Sequence, residues 1–150
     1  MQVFWAIIVT ILAVVCSTAF HFEVTRLLSR WLVAKPGRTQ PRLLATISAL
    51  VVAHVVEIGL YAGLFAVGTL GLHLGSFNTF KTMVAMDYFY FAAETYSSLG
   101  YGDIIPLGEI RLLASVEPLN GLLLLAWSGS FLFSTVHEES AIESQSARSK

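Results

Sequence analysis

The chain has 150 residues, of which 55% are hydrophobic and 13% are charged, and its mean hydropathy is +0.70. This composition excludes an ordinary soluble domain and predicts a membrane protein. The net charge of −1 gives no electrostatic reason to expect a nucleic-acid partner, and the single cysteine, Cys16, excludes an internal disulfide framework.

Three apolar runs are long enough to cross a bilayer. Residues 3–20 carry no charge, residues 43–72 are interrupted only by His54 and Glu57, and residues 112–136 contain one glutamate. We therefore predict three membrane spans. A cleaved signal peptide is the alternative for the first run, although no basic side chain precedes it and no clear cleavage site follows Cys16.

Basic side chains concentrate between the first two runs. By the positive-inside rule this loop faces the cytoplasm, so we expect the N-terminus outside and, after three crossings, a short C-terminal tail inside. The basic residues are Arg26, Arg30, Lys35, Arg38 and Arg42.

Residues 25–35 place leucines and a tryptophan on one helical face and basic side chains elsewhere. The pattern predicts either an amphipathic helix on the cytoplasmic leaflet or an extension of the first span with snorkelling arginines. Pro36 and Pro41 break the chain before the second span. We accordingly divide the chain into residues 1–42, a span with a basic linker, and residues 43–150.

The segment between the second and third runs is mixed in character. Residues 73–87 are small and polar and predict an exposed turret, after which Asp87 is placed to cap a short helix over residues 88–97. A helix of this length dips into the membrane without crossing it, and the non-helical chain that follows must be buried in protein or line water.

Residues 98–103 read Ser-Leu-Gly-Tyr-Gly-Asp. Glycines at alternating positions allow successive carbonyls to point to one side, as in the filter of a narrow pore. Alone, Gly-Tyr-Gly also fits a surface turn. The half-helix before it and Pro106 after it favour the pore interpretation.

Residues 90–106 resemble the pore segment of the potassium channel superfamily, and look most similar to small bacterial channels with one pore loop per chain. To the three predicted transmembrane helices of an all-α membrane protein, the resemblance adds a re-entrant pore helix and a filter, and it implies assembly from four copies. It also implies K⁺ sites at the carbonyls of Ser98, Leu99, Gly100 and Tyr101, with Gly102 completing the filter. Ser98 and Leu99 depart from the usual Thr and Val or Ile.

Glu94 and Asp103 match a carboxyl pair that meets behind the filter in the bacterial proton-gated members. Two carboxyls in one dry site favour sharing a proton, which predicts a pH-sensitive filter. The other interpretation is that Glu94 only holds the filter strand in place. Tyr90 is expected to pack around the filter.

The third span, residues 109–137, is expected to line the pore. Pro118 and Gly121 predict either a gating hinge or close helix packing. Side chains at helical spacing below them are candidates for an apolar cavity that closes by dewetting. They are Leu122, Leu125, Gly129 and Phe133.

Three ionisable residues fall within spans, where each must face protein or water: His54, Glu57 and Glu117. They predict an intramembrane polar cluster, which is either a proton or divalent-cation site or a clamp between helices.

Together these observations predict a passive, non-enzymatic potassium channel, a homotetramer in membrane lipid with K⁺ as permeant ion and no cofactor. A bacterial inner membrane is the expected location. The alternatives are a weakly selective cation channel and a non-conducting structural or regulatory subunit. No span carries arginine at every third position, so a voltage sensor is not expected.

Overall fold

A computed structural model describes the backbone of residues 1–34 and 39–148. Four α-helices and a short two-stranded sheet form one unit. The helices are α1 (Gln2–Ala34), α2 (Thr39–Ala66, continued by a π-helical turn, Val67–Gly71), α3 (Ala85–Tyr96) and α4 (Arg111–Arg148), and the strands are β1 (Gly75–Asn78) and β2 (Ile105–Gly108).

Three helices in the described ranges are long and apolar enough to cross a membrane, which confirms the three predicted spans. These stretches are Gln2–Val33, Gln40–Gly71 and Arg111–His137. α1 continues without interruption to Ala34. A separate amphipathic helix is therefore not formed over its basic end, because no helix breaker precedes Pro36. The predicted break at Pro36 lies outside the described residues, whereas Pro41 lies in the first turn of α2, where its missing N–H costs little.

α1 packs against both α2 and α4 through a face of small and polar side chains. Small residues let helix backbones approach closely, which is how helices associate where lipid removes the hydrophobic driving force. The opposite face of α1 is apolar and exposed. Buried residues recur every three or four positions, at Ala6, Val9, Ala13, Ser17, His21 and Thr25, and Thr10 beside Val9 is also buried.

α3 is the re-entrant helix. Its 12 residues extend about 18 Å, too short to cross a bilayer, and it packs against α2 and α4. The helix starts at Ala85, three residues before the predicted start, so Asp87 caps it from the third helical position and not from outside. The Asp87 carboxylate accepts the Val84 N–H at 2.9 Å and pairs with Lys81 Nζ at 2.9 Å. The Val84 N–H, and then Lys81, hold the pKa of Asp87 below its usual value.

The turret contains a strand that was not predicted. β1 pairs antiparallel with β2, with Gly75 opposite Gly108 and Asn78 opposite Ile105. Phe77 of β1 packs edge-on against Phe91 of α3, with ring centroids 4.8 Å apart. The loop between α3 and β2 is therefore fixed at both ends, by a helix on one side and by a strand pair on the other.

Candidate ion pathway

The loop over residues 98–103 has an alternating backbone. Ser98, Gly100 and Gly102 have φ values of 60°, 56° and 81°, whereas Leu99 and Tyr101 keep negative φ. Alternation of left- and right-handed residues turns successive N–H groups to one side of the chain, and so leaves the carbonyls to the other. Glycine adopts the left-handed conformation without strain, while Ser98 does so at a cost of about 1 kcal/mol.

One residue, Glu94, accepts three of the N–H groups of this loop. The Glu94 carbonyl accepts the Leu99 N–H at 2.8 Å and the Gly100 N–H at 3.3 Å. Its carboxylate, at Oε2, accepts the Tyr101 N–H at 3.0 Å. Three successive N–H groups thus point back at a buried residue of α3, and the loop carbonyls do not compete for them.

Glu94 and Asp103 share no hydrogen bond in the part of the chain that the structure describes. Asp103 instead accepts the Tyr90 hydroxyl at 3.3 Å, and the Tyr90 ring stacks on Tyr101 at 6.2 Å. Burial raises the pKa of Glu94, the Tyr101 N–H opposes this, and the charge of Asp103 raises it further. The carboxyls interact through space, and the contacts favour the supporting role for Glu94.

Gly121 of α4 lies directly against the end of α3. A Cβ atom on Gly121 would be 2.3 Å from the Tyr96 carbonyl oxygen, so only glycine allows this approach. The contact favours the packing interpretation of Gly121. Pro118 lies inside α4, which continues as one helix past both residues.

The four predicted cavity positions lie on one exposed face of α4. Leu122, Leu125 and Phe133 are 49%, 40% and 75% exposed in the single chain, and no described atom lies within 4 Å of a Cβ built on Gly129. Leu99 and Tyr101 of the loop are also more than half exposed. The surfaces expected to face the pore are therefore substantially exposed in the single chain.

The predicted polar cluster forms with different members. Glu57 Oε2 lies 3.0 Å from His54 Nδ1 and accepts the Tyr96 hydroxyl at 2.5 Å, while Glu57 Oε1 lies 2.9 Å from His21 Nδ1. Ser128 Oγ of α4 lies 2.9 Å from His54 Nε2 and 3.3 Å from His21 Nε2. We call these five residues the His–Glu cluster; it joins all four helices.

Glu117 is not part of this cluster, contrary to the sequence-based expectation. It is fully buried, and neither carboxyl oxygen has a hydrogen-bond partner among the described side chains. A separate polar layer, centred on Asn120, lies between α1, α2 and α4: Asn120 Nδ2 donates to Ser17 Oγ at 2.7 Å and to the Tyr61 hydroxyl at 3.1 Å. Because neither of its carboxyl oxygens forms a hydrogen bond to a described residue, Glu117 does not pair with Glu57.

His21 is a member of the cluster that was not predicted. It follows directly after the first uncharged run, and its partner Glu57 is 36 positions away. A signal was present, because Ser17, His21 and Thr25 recur every four residues along a mostly apolar helix. Such spacing places polar groups on one face, which indicates contact with another helix and not with lipid.

Comparison with known proteins identifies one family. A family model described as an ion channel matches residues 51–138, more than half of the chain. The match covers most of α2, the α3 helix with its loop, and the membrane part of α4, and it leaves α1 outside. No curated protein and no solved structure matches the chain.

Proposed function

Because the chain belongs to this ion-channel family, within the potassium channel superfamily, we propose that four copies form a potassium-selective pore that conducts passively. The permeant ion is K⁺, and conduction needs no catalytic residue and no cofactor. The filter is the loop over residues 98–103.

The observation that carries the proposal is the binding of three successive N–H groups by Glu94. It leaves the carbonyls of Ser98, Leu99, Gly100 and Tyr101 available to replace the water shell of an ion. One chain supplies one wall of such a site, so an ion needs a ring of chains. The stacked Tyr90 and Tyr101 and the β1–β2 pair then support the filter from behind.

The orientation follows from charge. The basic end of α1 belongs on the cytoplasmic side, which puts the N-terminus and the filter outside and the lower part of α4 inside. Ions leaving the filter then enter a cavity walled by Leu122, Leu125, Gly129 and Phe133. The membrane in this proposal is the inner membrane of a bacterium.

Flux through the purified chain tests the proposal. We expect liposomes containing only this chain to show K⁺ flux that barium blocks, and to give a reversal potential close to the potassium value in mixed Na⁺ and K⁺. A reversal potential far from that value would indicate a weakly selective cation channel and not a potassium-selective one. Absence of flux across a range of pH would favour the alternative interpretation, a non-conducting membrane subunit.

A further inference from the structure

We propose that His21, His54 and Glu57 form a binding site for a divalent transition-metal ion, with Zn²⁺ as the best-matched metal. One ligand atom from each residue lies within 4.8 Å of the others. Two imidazoles and one carboxylate are a donor set that zinc uses in proteins. The inference concerns metal binding alone and does not depend on ion conduction.

Without a metal ion, the hydrogen-bond count of the cluster closes only if one of the two imidazoles carries a second proton. Both Nδ1 atoms face Glu57, at 2.9 Å and 3.0 Å, and both Nε2 atoms face Ser128 Oγ, at 2.9 Å and 3.3 Å. His54 Nδ1 also lies 3.0 Å from the Tyr96 hydroxyl, whose hydrogen goes to Glu57 Oε2 at 2.5 Å. A neutral imidazole has one N–H, and two such groups donating to Glu57 leave two acceptor nitrogens against one hydroxyl hydrogen. One contact with Ser128 is then left without a proton.

A metal ion closes the count. With both Nδ1 atoms and Glu57 as ligands, each imidazole carries its hydrogen on Nε2 and donates it to Ser128 Oγ, which has two lone pairs. Metal-bound histidines characteristically donate their other N–H in this way, which fixes the ring orientation. The Tyr96 hydroxyl donates to Glu57 Oε2 at 2.5 Å and orients the carboxylate.

Surroundings and access also fit a bound ion. The side chains of His21 and Glu57 are fully buried and that of His54 is 13% exposed, so His54 is the ligand nearest the surface of the single chain. The Trp127 ring lies edge-on to His21, with the ring centroids 5.6 Å apart. An ion here fixes Tyr96, two residues before the filter, relative to Ser128 of α4.

Metal counting on the whole chain in detergent tests the proposal. After treatment with a chelator, Zn²⁺ is added, excess metal is removed, and bound zinc is measured by elemental analysis. We expect one Zn²⁺ per chain, lost in His21→Ala and in His54→Ala. His73→Asn is the matched control, because His73 lies in the turret with φ of 52°, which asparagine tolerates, and it should retain the zinc.

A second variant covers the case in which removal of a ligand unfolds the chain. Ser128→Ala keeps all three ligands but removes the acceptor of both Nε2–H groups, and we expect its zinc affinity to fall about 10- to 100-fold. Co²⁺ in place of Zn²⁺ should give visible absorption bands that disappear in His21→Ala and in His54→Ala. Three results would each overturn the proposal. Wild type and His21→Ala could bind zinc equally, or Ser128→Ala could keep the zinc affinity of the wild type. Alternatively, protonation of the cluster could stabilise the fold while the chain binds no zinc.

Discussion

Gly100 is the residue at which the backbone requirement of the filter is most direct. Its φ is 56°, and no described atom lies within 4 Å of a built Cβ. Gly100→Ala therefore meets no clash within the chain and acts through the backbone, at a cost of about 1 kcal/mol in the left-handed conformation. We expect relaxation of this strain to turn a carbonyl away from the pore axis and to abolish K⁺ selectivity, measured by the reversal potential. The tetramers should remain.

The control for this change is Gly63→Ala in α2, which also has no described atom within 4 Å and no positive φ. It should leave selectivity unchanged. Normal selectivity in Gly100→Ala would contradict the assignment of the filter.

Glu94 predicts a pH dependence of stability. Burial raises the pKa of Glu94 above 4.5. The hydrogen bond from the Tyr101 N–H lowers this pKa, and the charge of Asp103 raises it. The folded chain therefore holds a proton that the unfolded chain has lost just above pH 4.5. The contribution of Glu94 to the free energy of unfolding is therefore highest below that pH, and it falls as the pH rises through the raised pKa.

Glu94→Gln should flatten this dependence when melting temperature is followed against pH, because glutamine keeps an acceptor for the Tyr101 N–H without titrating. Asp103→Asn removes the repulsion and should shift the decline to lower pH. Identical profiles for the wild type and Glu94→Gln would show that Glu94 does not titrate in this way.

At this scale, the positive φ values of Gly100 and Gly102 could be predicted from the sequence, because the requirement is local to each glycine. The place of Glu94 beside the loop was implied by the resemblance of residues 90–106 to a channel pore segment. His21, Tyr96 and Ser128 meet Glu57 only after the four helices have packed, and no local pattern determines which residue across a helix interface a carboxylate contacts. Glu117 was misplaced for the same reason.

At the scale of elements, the contact between α3 and α4 depends on the absence of a side chain at Gly121. The atom that a new methyl group would meet is the Tyr96 carbonyl oxygen at 2.3 Å, which is backbone and cannot rotate away. Gly121→Ala must therefore separate the two helices. We expect a loss of about 1–3 kcal/mol in stability, measured by thermal unfolding in detergent.

Gly129→Ala is the matched control, because it lies in the same helix with no described atom within 4 Å. Alanine there should be neutral or stabilising by up to about 1 kcal/mol through helix propensity. If both variants melted alike, the close approach of α4 to α3 would not contribute to stability.

Hydropathy predicted the spans because the length and polarity of a membrane helix are imposed by the bilayer. It did not predict β1 and β2, because each strand is four residues long and contains glycine, and their pairing joins segments about thirty positions apart. The start of α3 was predicted three residues late for a smaller reason. Asp87 acts from inside the first turn, and aspartate caps a helix from either position.

For the whole molecule, α4 separates two environments. One face carries Leu113, Leu124 and Ser128 and is buried against the other helices, while another carries Leu122, Leu125 and Phe133 and is exposed in the single chain. In the proposed tetramer the second face lines the water-filled cavity. Leu123 is 69% exposed as well, but it is turned about 100° from Leu122 and faces away from that cavity.

This difference between adjacent leucines is testable with thiol chemistry. Cys16 is the one cysteine and is exposed, so Cys16→Ser provides the background. A methanethiosulfonate reagent needs a thiolate in contact with water. We expect it to reduce the K⁺ current through Leu122→Cys and Phe133→Cys, but not through Leu123→Cys, whose thiol faces lipid or a neighbouring chain. Equal modification of Leu122→Cys and Leu123→Cys would contradict the assignment of this face of α4 to the pore. The expected contrast would support four copies arranged around one axis with this face inward.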